Sequence, residues 1–403
     1  MSAGQSGAGQ APAAWPETRQ SGSGRVQTAC SGPGQGGAGC LTVGFIGFGL
    51  IGGSIARGLK RADPGIRIMA YMRTRSRLEQ AREDGIVDVI LDGVGEPLRE
   101  CDLVFLCTPV EYNARYLAQV RPFLKPGAFI TDVGSTKTDI HQAVTDLDME
   151  DIFVGGHPMA GSEKTGYEAS TDHLLENAYY IITPTKASPD GFVERLTAIA
   201  RMTGAIPIVL DYREHDRITA AISHLPHIIA SSLVNLVKDS DNQEGLMKKL
   251  AAGGFKDITR IASSSPVMWE QICMTNTENI ITMLEDYMNS LNRTLTQLKA
   301  KDGQGIHRLF DTSRAYRNSI SDPSAGSVTP DYSFTVDVVD EPGAISTLAV
   351  ILSARGISIK NIGINHSREQ GEGALKITFY ESAAREAAWT ALKKYNYQLI
   401  PSR

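Results

Sequence analysis

The sequence lacks the features that mark secreted, membrane-spanning and nucleic-acid-binding proteins. Its five cysteines are odd in number and scattered over 403 residues, which fits neither a disulfide framework nor a metal site but does fit a reducing cytosol. No apolar run approaches the roughly 18 residues that a membrane helix needs. A net charge of -5 provides no basic surface for nucleic acid or for a membrane. We therefore expect a cytoplasmic protein that binds a small molecule.

The length of 403 residues predicts two or three domains, each able to bury its own core. Residues 1–40 are rich in Gly, Ser, Ala and Gln without a signal-peptide pattern, so we expect a disordered tail there. Composition and periodicity divide the rest of the chain into a nucleotide-binding domain over 41–205, a helical domain over 206–320, a linker over 321–330 and a C-terminal domain over 331–403.

A glycine-rich turn comes after the first predicted strand, which begins at Leu41. Gly47–Gly52 reads GFGLIG, a G-x-G-x-x-G sequence between that strand and a predicted helix. Glycines in this pattern allow a tight turn, close approach of the backbone to a pyrophosphate and close packing of helix on strand. The phosphates then lie at the helix N-terminus, where N–H groups favour an anion. We expect a dinucleotide to be bound by Gly47, Gly49, Leu50, Ile51 and Gly52.

The choice of dinucleotide depends on the residues after the second strand, predicted over Ile66–Tyr71. An acidic residue about 20 positions after the glycine turn would bind the ribose of NAD, but Met72 stands there. The next arginines, Arg73 and Arg75, could instead bind the 2′-phosphate of NADP, and the residues lean toward NADP. The alternative is that both arginines are the solvated start of the next helix and that NAD binds without an acid.

Strands and helices continue to alternate to about residue 205, which predicts an α/β Rossmann domain with a doubly wound sheet. Ligands of such sheets lie outside the carboxyl ends of the strands. Three segments come after predicted strands at that edge: Thr108–Pro109, a loop with Ser135, and a bend with His157 after strand Ile152–Val154. We expect Thr108–Pro109 to bind the dinucleotide. Ser135 either belongs to the site or caps the next helix.

His157 lies in the glycine-rich sequence GGHPMAGSEKTG, and Pro158 keeps it out of the helical region. An imidazole titrates near neutral pH, so a histidine held in this way suits proton transfer. The alternative is a structural histidine that only hydrogen-bonds a neighbour. A dinucleotide site on the preceding strands favours the catalytic role.

The helical region contains further candidate ligands. His224 and His227 are three residues apart and could share a helix face, and Pro226 disturbs the helix between them. Too few other ligands stand nearby for a metal site. A structural, hydrogen-bonded role is the favoured alternative for His224. Arg260 either pairs with Asp257 or binds an anionic ligand, because a guanidinium fits a carboxylate in two-point contact.

A long helix is predicted from Trp269 to about Lys299, with Ser265 as its N-cap. Its apolar stripe predicts packing against a partner subunit. Trp269 either contacts substrate or belongs to the core, and the core is favoured. Beyond residue 331, the predicted order of elements is βαββαβ, which indicates a ferredoxin-like module.

Three segments, Gly47–Gly52, Asp132–Lys137 and Gly155–Gly166, occur in an order and spacing that resemble the prephenate/arogenate dehydrogenase family. The resemblance covers nearly everything after residue 40. It implies a homodimer that converts prephenate to 4-hydroxyphenylpyruvate and CO2, with hydride transfer to NAD(P)+. It also implies two catalytic residues, His157 and Ser135, and five substrate-binding positions: His227 and Arg260 on the carboxylates, Glu163 at the pocket mouth, His224 and Asp257. Because His157 must be neutral, we expect the rate to rise with pH through roughly 6–7.

The turn Asp340–Ile345 resembles the first turn of the ACT domain, a sensor of small ligands, usually amino acids. The resemblance implies that Gly343 and Asn361 line an effector site between paired modules. It also implies inhibition by tyrosine. The alternative is a dimer-forming module that binds no ligand.

The sequence leaves three other functions open. Arogenate has an amino group where prephenate has a keto oxygen, so an arogenate dehydrogenase would have a similar sequence. Other small-acid dehydrogenases with a Rossmann and a helical domain usually have a lysine where His157 stands. A catalytically silent amino-acid sensor is disfavoured, because all four of these residues are present: Ser135, His157, His227 and Arg260.

Overall fold

A computed structural model describes residues 40–161, 164–320, 332–339, 341–367 and 372–401. Outside these ranges lie nearly all of the predicted tail, the whole of the predicted linker and Glu163, for which the sequence predicts a place at the pocket mouth.

The first region is a parallel sheet with helices on both faces, as the sequence predicts. Five strands pair in the order β3-β2-β1-β4-β5. They are β1 Thr42–Ile46, β2 Arg67–Tyr71, β3 Val89–Ile90, β4 Leu103–Leu106 and β5 Phe129–Asp132. The helices are α1 Leu50–Ala62, α2 Arg75–Glu83, α3 Val110–Val120, α4 Thr138–Asp146 and α5 Asp190–Met202.

Alternate residues of the central strands enter different core layers, which explains their continuous apolar runs. Val43 and Phe45 of β1 pack in one cluster with Ile55 and Leu196, while Ile46 packs in a second cluster on the other face. The carboxyl ends of β1 and β4 form the point where the strand order reverses. Ligands of doubly wound sheets bind at such a point.

Three further strands extend the region beyond β5. They are β6 Val154–Pro158, β7 Tyr179–Pro184 and β8 Ile206–Val209, with β6 antiparallel and β8 parallel to β7. A parallel bridge between Ile130 and Phe153 connects them to β5. The sequence pattern does not predict β8, because its four residues stand where the helical region is expected to begin.

The prediction that His157 lies in a bend after a strand is wrong. His157 belongs to β6 and pairs with Ile181 of β7. The glycines before it serve close packing between strands rather than a turn. A Cβ atom at Gly156 would lie 2.7 Å from the carbonyl oxygen of Asp132 and 2.9 Å from the hydroxyl of Tyr180. Only glycine therefore lets the backbone of β6 approach the end of β5 this closely.

The second region is helical. Its helices are α6 Tyr212–Thr219, α7 Leu225–Ser240, α8 Leu246–Leu250, α9 Gly253–Thr259, α10 Pro266–Thr275, α11 Thr277–Lys299 and α12 Gly303–Ser319. The single helix predicted from Trp269 to Lys299 is interrupted at Asn276, which separates α10 from α11. The predicted N-cap is present, since the Ser265 hydroxyl accepts a bond from the Met268 N–H at 3.5 Å.

A wide helical turn joins α6 to α7. The segment Ala220–His224 is π-helical, and Pro226 is the second residue of α7. Proline removes one backbone donor and crowds the preceding turn, so a widened turn accommodates it. The helical run therefore continues from Tyr212 to Ser240 without a break.

That run contradicts the expectation that no apolar segment reaches membrane-spanning length. Tyr212–Ser240 contains an 18-residue window of mean hydropathy 1.4, and only 17% of this window is buried within the described chain. Length and composition alone do not separate a membrane span from a helix that another subunit covers.

The C-terminal module has the predicted βαββαβ order. Its elements are β9 Ser333–Val339, α13 Ala344–Ser353, β10 Ile359–Ser367, β11 Glu372–Phe379, α14 Ser382–Lys393 and β12 Gln398–Pro401. The strands form an antiparallel sheet in the order β10-β11-β9-β12, and both helices pack on one core with Phe334 and Phe379. This strand arrangement is that of a ferredoxin-like fold.

Candidate active site

The glycine turn has the geometry of a phosphate-binding turn. Gly47 has φ +89°, and a Cβ atom there would lie 2.6 Å from the carbonyl oxygen of Cys107. A Cβ atom at Gly52 would lie 3.0 Å from the Gly47 carbonyl oxygen, whereas one at Gly49 would meet nothing within 4 Å. Gly47 and Gly52 are therefore required for packing, and Gly49 leaves its backbone open to a ligand.

The N-terminus of α1 is suited to an anion. The helix begins at Leu50, its N-cap Gly49 supplies no side-chain hydrogen bond, and its first turn contains no acidic residue. The amides of this turn and the helix dipole thus favour a phosphate. Beside it, the Thr108 hydroxyl donates to Asn113 Oδ1 at 2.7 Å. The Nδ2 group of Asn113 is buried and has no partner among the described residues. These groups fit the pyrophosphate of a dinucleotide.

The two arginines after β2 are in different environments. Arg75, the first residue of α2, forms ion pairs with Asp92 and Glu79. Arg73 is exposed and forms no ion pair with any residue that the structure describes. Exposed ion pairs of this kind are weak, so they do not exclude Arg75 from binding a 2′-phosphate, and the role of both arginines stays a prediction. Arg73 is the one of the two that has no ion pair within the described residues.

His157 is the first member of a hydrogen-bonded line of three side chains. Its Nδ1 lies 2.7 Å from Nε2 of His215, and Nδ1 of His215 lies 2.8 Å from Oδ1 of Asp216. A carboxylate only accepts, so Nδ1 of His215 donates to it, and Nε2 of neutral His215 accepts from His157. The proton of neutral His157 is then on Nδ1. Its Nε2 therefore carries a lone pair that can accept a proton.

The charges around His157 favour its neutral form. Burial first, and then the nearby His215, Lys137 and His224, hold the pKa of His157 well below its ordinary value. Burial acts to raise the pKa of the Asp216 carboxyl, but hydrogen bonds from His215 and Thr138 outweigh it and hold that pKa below its usual value. A neutral imidazole thus stands in line with an ionised carboxylate at physiological pH.

Asp216 also joins the sheet region to the helical region. Its carboxylate accepts from the backbone N–H groups of Lys137 at 2.8 Å and Thr138 at 2.7 Å, at the start of α4. A second contact between the two regions joins the hydroxyls of Thr136 and Thr275 at 2.9 Å. Helix α4 is therefore capped by a residue of α6, and this capping fixes His215 against His157.

Ser135 lies in the loop between β5 and α4 and is partly exposed. The alternative that it caps α4 is wrong, because Lys137 is the N-cap residue and Asp216 binds the first amides. The Ser135 hydroxyl makes no hydrogen bond within the described residues. The structure thus shows no direct bond from Ser135 to His157, although both lie at the same edge of the sheet region.

His224 and His227 differ in role. His224 is buried, and its Nδ1 lies 3.1 Å from Nδ2 of Asn276, which also donates to the Asp216 carbonyl at 2.8 Å. Burial lowers the pKa of His224 to about 4. This environment matches the structural alternative. His227 donates from Nδ1 to the Ser223 carbonyl at 2.8 Å and is only partly buried.

Trp269 packs directly against the histidine pair. Its ring stacks on His227 with 3.8 Å between centroids, and its edge meets His224. The Trp269 Nε1 group is buried and has no hydrogen-bond partner among the described atoms. A purely structural core position leaves this donor unexplained, because buried N–H groups are nearly always bonded.

Arg260 comes directly after α9 and lies close enough to His227 to lower its pKa, together with burial, which has the larger effect. Asp257 is exposed, and the alternative that Arg260 pairs with it stays a prediction. The geometry therefore gathers two groups of residues. Ser135, His157, His215 and Asp216 lie near the sheet edge, and His224, His227, Arg260 and Trp269 lie in the helical region.

Comparison with known proteins identifies the family. The prephenate dehydrogenase nucleotide-binding domain matches residues 55–209, and the prephenate dehydrogenase dimerization domain matches residues 211–312. A prephenate dehydrogenase of Bacillus subtilis is 38% identical over 349 residues, which cover 86% of this chain and 94% of that protein. The chain belongs to the prephenate dehydrogenase family.

Two solved structures of similar proteins have the same fold over the first two regions. One is prephenate dehydrogenase from A. aeolicus in complex with hydroxyphenyl propionate and NAD+, with a TM-score of 0.67 and 29% identity. The other is arogenate dehydrogenase from Synechocystis, with a TM-score of 0.63 and 29% identity. Each covers 70% of this chain, and the chain covers 99% and 100% of them.

The dimerization match explains the apolar helical run. Tyr212–Ser240 lies within residues 211–312, and most of its apolar window is exposed in a single chain. Further apolar side chains such as Leu291, Leu295 and Leu298 of α11 are about half exposed. The match to a dimerization domain supports a homodimer, and exposed apolar surfaces of this kind are typical of a subunit interface.

The C-terminal module lies after the two matched regions. The B. subtilis relative covers 86% of this chain, so the alignment must extend past residue 320 into the module. Gly343 has φ +96° and precedes α13, and Asn361 is exposed on β10. The contacts that Gly343 and Asn361 make with described residues do not by themselves indicate a ligand site.

Two functional residues are not predicted from the sequence, His215 and Asp216. The sequence pattern marks the segment Glu214–Arg217 only as the start of a helix. An adjacent histidine and acid near a helix N-terminus are a signal that could have drawn attention to them. Their partner His157 is 58 residues away in the chain, so the hydrogen bond itself has no signature in the sequence.

Proposed function

We propose that the chain is a prephenate dehydrogenase that converts prephenate to 4-hydroxyphenylpyruvate and CO2 with NAD(P)+ as hydride acceptor. The main support for this proposal is the hydrogen-bonded line of His157, His215 and Asp216. His157, at one end of this line, lies at the same edge of the sheet region as the glycine turn. A nicotinamide bound at this edge accepts the hydride from the ring carbon that bears the hydroxyl.

The reaction needs little from the protein beyond orientation and proton handling. As hydride leaves, the C–O bond gains carbonyl character, and Nε2 of neutral His157 accepts the hydrogen bond from the hydroxyl. Positive charge that develops on His157 is shared with His215 through their hydrogen bond. The negative charge of the Asp216 carboxylate stabilises it. The ring carboxylate leaves as CO2, its bonding electrons make the ring aromatic, and the proton returns to the phenol oxygen. Such proton handling contributes about 10²–10⁴-fold in rate.

The substrate carboxylates are bound by Arg260 and His227 in this proposal. Arg260 supplies a permanent positive charge and a planar fork of donors. Nδ1 of His227 already donates to the Ser223 carbonyl, so only Nε2 can reach a ligand. Trp269 stacks on the ring of His227. Its indole N–H, which has no partner among the described atoms, is a further donor beside His227 and Arg260. Ser135 supports the hydroxyl at the sheet edge, and Asp257 is a neighbour of the substrate in this proposal, whereas the buried His224 supports the site from behind. The role expected for Glu163 concerns a residue outside the described ranges.

The cofactor is bound at the turn Gly47–Gly52, with Thr108 and Pro109 beside it, and we propose that NADP is accepted through Arg73. That arginine is exposed and has no ion pair among the described residues, whereas Arg75 is held by Asp92. The NAD+ bound in the A. aeolicus relative supports NAD as the alternative.

We expect Arg73→Ala to lower kcat/KM for NADP about 10-fold or more and to lower kcat/KM for NAD less than about 3-fold. Arg77→Ala, in the first turn of α2, is the matched control, because Arg77 pairs with Glu168. Equal losses with both dinucleotides would contradict the assignment.

The C-terminal module is proposed to be an ACT regulatory domain in which Gly343 and Asn361 line an effector site for an amino acid, with tyrosine as the first candidate. Its ferredoxin-like strand order supports this interpretation.

We propose a cytoplasmic location for the enzyme, because the cysteines Cys101, Cys107 and Cys273 are free thiols.

One assay tests the proposed function. Formation of reduced nicotinamide is measured with prephenate and with arogenate, each with and without tyrosine. We expect turnover with prephenate to exceed that with arogenate and tyrosine to reduce it. Preference for arogenate would make the chain an arogenate dehydrogenase, like the Synechocystis relative. No turnover with either substrate would refute the dehydrogenase function, and an unchanged rate at millimolar tyrosine would refute the effector site.

A further inference from the structure

A fully buried ion pair lies beside the candidate site and has no role in the proposed reaction. The Lys137 ammonium donates to Asp132 Oδ2 and, at 2.8 Å, to the carbonyl of Gly156, and neither charged side chain is exposed at all. Taking two charges out of water costs several kcal/mol each, so a buried pair is seldom more stable than apolar residues of the same volume. Fold stability alone therefore does not account for Lys137 and Asp132.

The ion pair holds together the parts of the chain that carry the catalytic groups. The Asp132 carboxylate accepts from the N–H groups of Gly134 at 2.8 Å and Gly156 at 3.2 Å. Gly134 precedes Ser135, and Gly156 precedes His157. The backbone N–H of Lys137 donates to Asp216 at 2.8 Å. One lysine and its partner thus contact the Ser135 loop, the His157 strand and the carboxylate behind His215.

We propose that Lys137 is a positioning residue for the oxidation, which fixes the Ser135 loop against His157 and places a buried positive charge beside the imidazole. This inference rests on the proposed function for its catalytic meaning, but its structural content concerns the chain alone. It explains why a charged pair is retained where an apolar pair would pack as well.

The electrostatic part of the proposal involves the charged and titratable groups near His157 among the described residues. His215 and Asp216 approach from α6, His224 from the π-helical turn and Lys137 from the N-terminus of α4, where it pairs with Asp132 at the end of β5. Tyr180 of β7 lies beside Gly156, the residue before His157. Burial lowers the pKa of Lys137 itself, and the charge and hydrogen bond of Asp132 oppose that effect and favour the ammonium form. The positive charge of Lys137 is in turn one of the causes that lower the pKa of His157, after burial and His215. Removing this charge should make His157 easier to protonate.

The test uses two variants that both remove the charge of Lys137, and one of them also removes the charge of Asp132. The double variant Lys137→Met/Asp132→Asn removes both charges, and Lys137→Gln keeps a donor for Asp132 and Gly156 in case the double variant folds poorly. Lys125→Met is the matched control, because Lys125 pairs with Asp102 at 2.6 Å at the other end of the sheet. Circular dichroism and thermal unfolding establish that each dimer is folded.

The first readout is the titration of the His157 ring in the full-length dimer, measured by NMR with 13Cε1-labelled histidine and assigned with His157→Asn. We expect the midpoint to move up by roughly half a pH unit or more in both Lys137 variants and to stay in place in Lys125→Met. An unchanged midpoint in a folded Lys137 variant would overturn the proposal. This readout needs no substrate, so it is independent of whether prephenate is turned over.

The second readout is the pH profile of kcat with prephenate at saturating dinucleotide. The acid limb should move upward with the NMR midpoint, and the plateau should fall about 10-fold or more while KM for the dinucleotide changes less than about 3-fold. A merely structural role would lower the amount of active enzyme without moving the limb, and that result would refute Lys137 as a positioning residue. Wild type without activity on prephenate or arogenate would instead refute the proposed function.

Discussion

The reactivity of His157 depends on which of its nitrogens carries the proton. Asp216 accepts only, so it fixes the proton of His215 on Nδ1, and Nε2 of His215 then fixes the proton of His157 on Nδ1. The lone pair of His157 is thereby held on Nε2. His215 is a positioning residue in this arrangement, since it acts through His157.

We predict that His215→Phe, which keeps the ring volume but removes the acceptor, lowers kcat by about 10- to 100-fold with little change in KM. The loss should be smaller than that of His157→Asn, because His157 can still adopt the correct tautomer part of the time. Steady-state kinetics with prephenate check this. His141→Phe is the control, since His141 is another buried histidine, bonded to Thr183 outside the line. Equal kcat values for wild type and His215→Phe would contradict the tautomer argument.

The structure shifts the pH range over which we expect the rate to rise to lower values than the sequence predicts. The range of roughly 6–7 expected from the sequence assumes an ordinary histidine. Burial, His215 and Lys137 lower the pKa of His157 well below 6.5. Neutral His157 is the active form, so kcat rises as pH rises through this lowered pKa. The acid limb of kcat should therefore lie below pH 6.5.

At the scale of elements, the turn between β1 and α1 separates packing from ligand binding. Gly47 has φ +89° and no room for a Cβ atom, whereas Gly49 has room within the protein. We predict that Gly47→Ala destabilises the fold by about 1 kcal/mol or more. Gly49→Ala should leave the melting temperature nearly unchanged and weaken dinucleotide binding about 10-fold or more.

Thermal unfolding and dinucleotide titration by intrinsic fluorescence distinguish the two effects. The pair of variants is its own control, since both add one methyl group to the same turn. If Gly49→Ala bound the dinucleotide as tightly as wild type does, the turn would not be the pyrophosphate site.

The elements that could be predicted are those with a strong local pattern. Continuous apolar runs in β1 and β4, the glycine turn and the βαββαβ order of the C-terminal module are all evident from neighbouring residues. The strand character of His157 could not be predicted in this way. Its glycines look like a turn in sequence, and only the nearby Asp132 and Tyr180 show that they serve close packing. The π-helical turn before Pro226 has likewise no local signature beyond the proline.

At the scale of the whole molecule, two buried histidines outside the catalytic line connect stability to pH. Burial lowers the pKa of His141 to about 3 and that of His224 to about 4. In the unfolded chain both titrate near 6.5, so below that pH the unfolded state takes up protons that the folded state does not. Their stabilising contribution is complete above pH 6.5 and is lost as pH falls towards the folded pKa values.

We predict that the free energy of unfolding falls by about 2 kcal/mol for each of these histidines between pH 7 and pH 5. Urea unfolding at one fixed subunit concentration measures it, because the dimer makes stability depend on concentration. His141→Phe should remove about one histidine's share of the loss. Stability that is equal at both pH values would show that these rings are not buried in the neutral form.

The assembly of the site from distant segments limits what the sequence can reveal. His157 meets His215 across 58 residues, Thr136 meets Thr275 across 139, and Asn276 meets His224 across 52. Residue types suggest His157, His227 and Arg260 as site residues, but their partners become visible only in the folded chain. Lys137 lies in a segment that carries the family resemblance, but its buried ion pair with Asp132 and its bond to Gly156 become visible only in the folded chain.

The most direct measurement is kcat and KM of His157→Asn for dinucleotide reduction with prephenate, beside wild type. Asparagine keeps a smaller hydrogen-bonding side chain at this position but cannot take up a proton near neutral pH. Catalysis by neutral His157 predicts a loss of about 10²–10⁴-fold in kcat with KM within a few-fold of wild type. A kcat near the wild-type value, or a loss confined to KM, would contradict it.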